Sequence, residues 1–514
     1  MTGITRRKAL GSIAGIVAAP AVLARAATRP IITDGVMSGD VTGDSAVIWS
    51  RADRAARLLV DWSTTESFRN SGRVTGARAV ATNDFAATAA LTDLPPGQTI
   101  FYRVRFESDD GGLSEPVNGR LRIPARDGGA ISLVFGGDQC GAGWGINPDW
   151  GGIRIYKAML DADPDLLVHL GDRIYSDNVL EETVDLPDGS RWRNIVTPAK
   201  AKVAETLDEY RGNYRYNLLD EHVRRFHAAV PQLVTWDDHE VANDWWPDAT
   251  ISRLRARRRG YGERSMDTLA ARGRKAFFEY TPVGHEAASA GRIWRSVACG
   301  PLAEVFLLDS RSHRGPNRLK DRVRMADDAV LLGRAQVDWL KKALARSSAQ
   351  WKIIGNPLPI THYNKRDADR GYFDKYADGE PGMPSGRERE IADILSFIKA
   401  HGIRNVVWIT ADVHYAAAHR FHPDRAGARD FTPFWEFVAG PFHTRAYRPG
   451  PIDPTFGAER LYASTTGVTG NPPPSAGWCN FGHLHIDGKS GALTVSFRDV
   501  NGATMWKRTV ESER

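Results

Sequence analysis

The chain is poor in cysteine. Three residues, Cys140, Cys299 and Cys479, in a length of 514 are too few, and odd in number, for a disulfide framework, so an apolar core must hold the fold. Long apolar runs are also scarce. The only one, in "MTGITRRKALGSIAGIVAAPAVLARAA" at the start, is short and rich in Gly and Ala, which excludes a bundle of membrane spans. Neither sign of charge dominates, since 68 Lys and Arg face 62 Asp and Glu for a net +6. Four of the cations, Arg6, Arg7, Lys8 and Arg25, lie in an acid-free stretch of 26 residues, which leaves about +2 on the remainder. So small an excess argues against a dedicated nucleic-acid binder, and no nucleic-acid partner is expected. With 42% hydrophobic and 25% charged residues, the composition is that of ordinary globular material, and the length suggests more than one domain.

What is present begins with residues 1–26. Arg6-Arg7, a run of small apolar residues and Ala24-Arg25-Ala26 form a twin-arginine export signal with its cleavage site. The expected partner is the twin-arginine export machinery, and the expected location is periplasmic or secreted. That route carries folded proteins, often around a cofactor loaded beforehand, so the signal hints at a metal. Residues 31–123 alternate in short segments such as "SAVIWSRA", "RLLVDWST" and "TIFYRVRF", which predicts a small β-sandwich. After the linker "IPARDGGA" the pattern changes. From residue 130 to 514, apolar runs separated by helical stretches predict a layered α/β domain.

Six of those runs end alike. "ISLVFGG" leads to Asp138, "DLLVHLG" to Asp172, "PQLVTW" to Asp237-Asp238-His239, "AEVFLL" to Asp309, "WKIIG" to Asn356 and "NVVWITA" to Asp412-Val413-His414. Strand-end acids often cap the next helix. Six together point instead to one cleft at the carboxyl edge of the strands, where ligands bind in open α/β sheets. Converging carboxylates repel unless cations neutralise them, and a two-metal site with activated water uses such a cluster. Tyr175, three residues after Asp172 in "GDRIY", adds a phenol that, with carboxylates and one imidazole, suits ferric iron better than zinc.

"GDRIY" resembles the Gly-Asp-x-x-Tyr motif of purple acid phosphatases. "TWDDHEVANDWW", "ITADVHYA", "FFEYTPV", "LLDSRSHR" and "WEFVAGPFHT" resemble the alkaline phosphatase D (PhoD-like) family of metallophosphoesterases, and "GVMSGDVTGDSAVIWSR" resembles its leading domain. The resemblance implies an α/β fold, with a layered metallophosphoesterase-type β-sandwich core flanked by helices, behind an N-terminal all-β Ig/fibronectin-like domain. It implies Fe3+ with one or two Ca2+ as cofactors. Asp138 takes the first metal-binding position, Asp172 the bridging position and Tyr175 that of the ferric tyrosinate. Asp238 is then a ligand of the second metal with His239 facing substrate, Asp412 binds the hard metal and His414 the iron. Asn243 and Asn356 are further ligands, and Arg311 is a phosphate contact.

Several features compete with this assignment. Cys140 lies two residues beyond Asp138, where many relatives carry cysteine, and period-two alternation could turn both to one side. "FGHLH" at 481–485 spells a Gly-His-x-His motif, yet it sits in an alternating hairpin around "DGKSG", so His483 and His485 are expected to pack or face solvent. The glycines of "CGAGWG" have the wrong spacing for a dinucleotide site. The arginine run from Arg253 to Arg259 suits a solvated helix face or a lid. The expected activity is hydrolysis of small phosphate esters, monoesters first, with diesterase or phospholipase D-like action on a related site as the alternative. A non-catalytic calcium-dependent surface binding protein is the rival class. A structural ion site needs no tyrosinate and no imidazole, so Tyr175, His239 and His414 favour the enzyme.

Overall fold

The computed structural model describes residues 29–254, 259–317, 329–369 and 371–513. The export signal expected at 1–26 and residues 255–258 of the arginine run lie outside the described residues. Two large sheets pack face to face. The first has nine strands in the order Thr504–Val510, Leu493–Asp499, Asn480–Ile486, Ile131–Gly136, Leu166–Leu170, Gln232–Thr235, Ile32–Gly39, Ala46–Ala52 and Ala86–Leu91. The second has seven, in the order Arg295–Cys299, Ala303–Leu307, Trp351–Gly355, Val406–Thr410, Phe434–Val438, Ala417–Phe421 and Ala458–Ala463.

The near-continuous apolar runs follow from burial on both faces of each sheet. Side chains alternate along a strand. Leu133, Phe135, Val168, Leu170 and Leu233 therefore meet Val305, Leu307, Ile353, Ile409 and Phe437 between the sheets. Their neighbours Val134, Leu167 and Val234 point outward to the helices Ile155–Asp161, Leu207–Asn217, Glu221–Ala229 and Met266–Tyr280. On the other side, Phe306, Ile354 and Trp408 face the helices Arg334–Arg346 and Glu388–Ala400. The result is helix, sheet, sheet, helix, the layered α/β architecture expected.

The strands Ile131–Gly136, Leu166–Leu170 and Gln232–Thr235 run parallel. So do Ala303–Leu307, Trp351–Gly355, Val406–Thr410 and Phe434–Val438. Within each parallel set, the chemistry-bearing ends therefore emerge at the same edge of the sheet.

The leading segment is all β, as expected. In Thr99–Glu107 every second residue is buried, and Val36, Ile48, Leu58, Val60, Val104 and Phe106 share its core. A four-stranded sheet, Gly72–Ala79, Ala56–Ser63, Thr99–Glu107 and Val117–Arg122, forms one layer. The other layer is not separate. Ile32–Gly39, Ala46–Ala52 and Ala86–Leu91 extend the nine-stranded sheet through one parallel pairing, Gly39 with Gln232. The junction is reinforced by the buried ion pair Arg295–Asp40 at 2.6 Å and by Trp49 Nε1 donating to the Glu279 carbonyl at 2.7 Å.

Candidate functional site

The strand ends turn abruptly into the cleft. Asp138, Asp172, Asp412 and His414 have φ of 70°, 51°, 65° and 57°, the left-handed region that non-glycine residues seldom occupy. Each such residue costs of order 1–3 kcal/mol and persists only where its surroundings over-determine it. Glu240 provides part of that determination. Its buried carboxylate accepts the backbone N–H groups of Asp172 at 3.0 Å, Arg173 at 2.6 Å and Asp237 at 2.8 Å.

Ligand atoms of Asp138, Asp172 and His414 lie within 4.8 Å of one another. His414 Nε2 is 3.3 Å from Asp138 Oδ1 and 2.9 Å from the Tyr175 hydroxyl. Its Nδ1 lies 2.7 Å from the Arg445 carbonyl oxygen, so Nδ1–H donates there and Nε2 is left as a lone pair facing the carboxylates. Asp138 is 1% exposed, and neither of its oxygens has a hydrogen-bond partner. An orphaned buried carboxylate costs several kcal/mol unless a cation joins it. Burial, then the charges of Asp238, Asp237, Glu240 and Asp138, push the Asp172 carboxyl well above its usual range. Burial and the Asp172 charge do the same to the Tyr175 phenol. Cations between these groups would reverse both shifts, and the donor set fits them: oxygen-rich, with one phenol and one imidazole, as hard ions require.

Asp172 also belongs to a second cluster with Asp238 and His239, and Asp238 to a third with Asp244 and Asp374. His239 stacks on Tyr175 with ring centroids 4.1 Å apart. Its Nδ1 is 2.6 Å from Asp177 Oδ1. Burial lowers the His239 pKa, but the charges of Asp177 and Asp238 outweigh it and carry the group to about 9. Asp177 also accepts the Asn243 N–H at 2.8 Å and pairs with Arg259. Asp412 pairs with Lys375. All of these groups except Asp177 line a cavity of about 750 Å³ whose walls also include Lys365, Arg445 and Arg448.

The structure gathers Asp138, Asp172, Tyr175, Asp238, His239, Asn243, Asp412 and His414 around this cleft and places two expected residues elsewhere. Arg311 is fully buried, with Nε 2.5 Å from Asp237 and Nη1 2.8 Å from Asp374; it is clasped behind the carboxylates and does not line the cavity. Asn356 is also fully buried, accepting from the Ser310 hydroxyl at 2.6 Å and donating to the Leu358 carbonyl at 2.5 Å, so its amide is committed to loop geometry. Asp309 takes the bland role open to any strand-end acid, accepting from Trp236 Nε1 at 2.8 Å and the Ser312 N–H at 2.9 Å. Cys140 packs in the apolar cluster outside the nine-stranded sheet, where burial raises its thiol. His483 lies in the expected hairpin opposite Ser496, its Nε2 2.8 Å from Ser132 Oγ, and His485 pairs with Thr494 there. Asp177, Asp244, Asp374 and Lys375 were not legible as site residues, because they come from loops with no strand pattern to announce them.

Comparison with known proteins agrees with this geometry. Residues 135–497 match the PhoD-like phosphatase family, and residues 17–125 match the N-terminal domain of PhoD-like phosphatases. Alkaline phosphatase D of Bacillus subtilis is 26% identical over 412 residues, covering 76% of this chain and 66% of that relative, slightly under two thirds of its length. A solved structure of PhoD superposes with a TM-score of 0.68 at 21% identity, covering 95% of this chain and 93% of that one. A purple acid phosphatase from yellow lupin (Lupinus luteus) seeds gives a TM-score of 0.59 at 14% identity, over 94% of this chain and 74% of that one. These two likenesses establish the fold. The family match from 135 to 497 runs through every strand end that builds the cleft, and on that ground the chain belongs to the PhoD-like phosphatase family.

Proposed function

We propose that the protein is an exported, metal-dependent phosphoesterase that hydrolyses small phosphate monoesters, with diesters as a secondary substrate. The observation that carries the reading is Asp172, shared between two ligand clusters, beside a buried Asp138 carboxylate without a hydrogen-bond partner. Asp138, Asp172, Tyr175 and His414 would hold Fe3+. Asp238, Asn243 and Asp412 would hold Ca2+, with Asp172 between the two ions. When bound, the ions polarise phosphoryl oxygens and acidify water.

The chain's own groups do the rest. Arg259 and Lys375 stand with Lys365, Arg445 and Arg448 among the cations that line the cavity beside its carboxylates, and a tetrahedral dianion requires such donors. His239 presents Nε2 toward the cleft while Asp177 holds Nδ1, so the imidazole can give a proton to the departing alkoxide. Arg311 acts as a positioning residue, holding Asp237 and Asp374 behind the ligands. The reading includes a division into an export signal at 1–26, a β-sandwich at 31–123 and a phosphatase domain at 130–514, and Arg6-Arg7 with Ala24-Arg25-Ala26 supports export.

The test is turnover of p-nitrophenyl phosphate and bis(p-nitrophenyl) phosphate by protein supplied with iron and calcium. The monoester should be hydrolysed faster, and Asp172→Asn should lose at least about 10²-fold on both together with metal content, while circular dichroism is unchanged. Inert wild-type protein, or a fully active Asp172→Asn, would refute the reading.

A further inference from the structure

Away from the catalytic cleft, ligand oxygens of Asp378, Glu388 and Asp453 converge within 4.8 Å of one another. The three are 8%, 1% and 3% exposed. Asp378 accepts the Glu380 N–H at 2.8 Å and the Ser385 hydroxyl. Asp453 accepts Gly379 N–H and Thr455 N–H, each at 2.7 Å. Glu388 Oε2 accepts Ser385 N–H at 3.0 Å, but Oε1 is buried and has no hydrogen-bond partner. The adjacent Arg387 does not neutralise the group. Its guanidinium turns away to the carbonyls of Phe373 at 2.5 Å, Gly315 at 2.8 Å and Pro316 at 2.9 Å.

Three buried carboxylates with one orphaned oxygen and no cation among their described partners are unstable as anions. Burial and the charges of Asp453 and Asp378 push Glu388 up to about 9, and burial raises Asp453 too. Either a proton or a metal ion must resolve the conflict. The side-chain and carbonyl atoms on offer to an ion are all oxygen: the three carboxylates, the Ser385 hydroxyl that donates to Asp378, and the Thr455 hydroxyl with the Glu380 carbonyl it faces. That set, without nitrogen or sulfur, is what calcium takes, with several carboxylate and carbonyl oxygens in an irregular shell.

We propose that Asp378, Glu388 and Asp453 bind a structural Ca2+ separate from the catalytic metals. The ion staples the loop leading into the helix Glu388–Ala400 to the segment that carries Asp453. Both pieces form walls of the catalytic cavity. Asp374 and Lys375 lie three to four residues before Asp378, and Gly450 and Pro451 two to three before Asp453, all lining the cavity. Filling the site would hold Lys375 against Asp412 by fixing the strap behind it.

The test uses the full-length protein purified in calcium. Glu388→Gln, and independently Asp453→Asn, should contain one calcium fewer per chain than wild type with iron unchanged. Part of the rise in melting temperature that calcium gives the wild type should disappear, while His485→Ala, in the hairpin remote from both metal sites, should keep the whole of it. The two explanations part on both readouts. If the carboxylates are merely crowded, with Glu388 held protonated, the amide replaces a neutral acid or relieves a repulsion, so calcium content is unaltered and the melting temperature in calcium is held or raised, which would overturn the proposal. Equal stabilisation by magnesium at the same concentration would overturn the assignment to calcium. Neither readout depends on turnover, so the site can fail while the catalytic reading stands, and the reverse.

Discussion

Asp177→Asn isolates the claim that His239 works because it is held. The Asp177 side chain has no solvent exposure, and its two oxygens serve four donors: His239 Nδ1 at 2.6 Å, Asn178 Nδ2 at 2.8 Å, the Asn243 N–H at 2.8 Å, and the Arg259 guanidinium. Asparagine has one acceptor oxygen and an NH2 that can only donate. If the NH2 faces His239, Nδ1 must give up its proton to accept, and the imidazole is held neutral, its remaining Nε2 proton far less acidic than that of the imidazolium. If it faces the other way, a backbone N–H and a guanidinium meet a donor. Removing one partner of a buried pair costs about 3–5 kcal/mol. The Arg259 side chain is 31% exposed and can recover water, so a stability loss of about 2–3 kcal/mol is expected.

The catalytic effect is larger and has a signature. A positioned general acid contributes about 10²–10⁴-fold, and most where the departing group is a poor one. Steady-state assays on p-nitrophenyl phosphate and on an alkyl phosphate should therefore show unequal losses of kcat, at least about 10²-fold for the alkyl ester and less for the nitrophenyl ester. KM should stay within a few-fold. Iron and calcium contents should equal wild type, because Asp177 belongs to none of the ligand clusters. Equal losses on both esters, or metal lost along with rate, would show that Asp177 supports the metal site and not the proton donor.

Tyr175→Phe keeps the ring that stacks on His239 and deletes the oxygen facing His414. If iron is held as proposed, the purified wild type is coloured by phenolate-to-iron charge transfer and the variant loses that band; a surviving band would make Tyr175 a packing residue. His483→Ala and His485→Ala should keep activity within a few-fold and cost of order 1 kcal/mol in urea denaturation, whereas Asp412→Ala and His414→Ala should be inactive, and the opposite pattern would move the site to the hairpin. Lysine at both Arg6 and Arg7 should leave the protein in the cytoplasm on fractionation, since the export machinery reads the arginine pair; efficient delivery would point to the general secretory route.

The architecture could be read because burial on both faces writes itself into the sequence as unbroken apolar runs, and the cleft because each run stops at a polar residue. The same rule over-reached at Asp309 and Asn356, which end strands identically but spend their polar atoms on neighbouring protein groups, the Trp236 indole and Ser312 N–H for Asp309, the Ser310 hydroxyl and Leu358 carbonyl for Asn356. What an Asn does there depends on Ser310 and Leu358, contacts that no local pattern records. Asp177, Asp374 and Lys375 escaped for a related reason: their loops reach the cleft through tertiary folding. The leading sandwich was visible in its alternation at Thr99–Glu107. Its fusion into the larger sheet was not, because that join is a single pairing between residues 193 positions apart, Gly39 and Gln232.

That join makes the leading segment a lateral plug for the catalytic sheet. A chain that began at residue 130 would uncover the start of the Gln232–Thr235 strand, where the Gln232 carbonyl takes the Asp40 N–H at 3.2 Å, and leave that edge open to any passing strand. It would also strand the Arg295 guanidinium, buried at 7% exposure, without its Asp40 partner. Such a fragment is predisposed to pair edge to edge with its own copies and precipitate. The two segments should therefore melt in one transition and be inherited together, unlike beads on a string that can be shuffled singly.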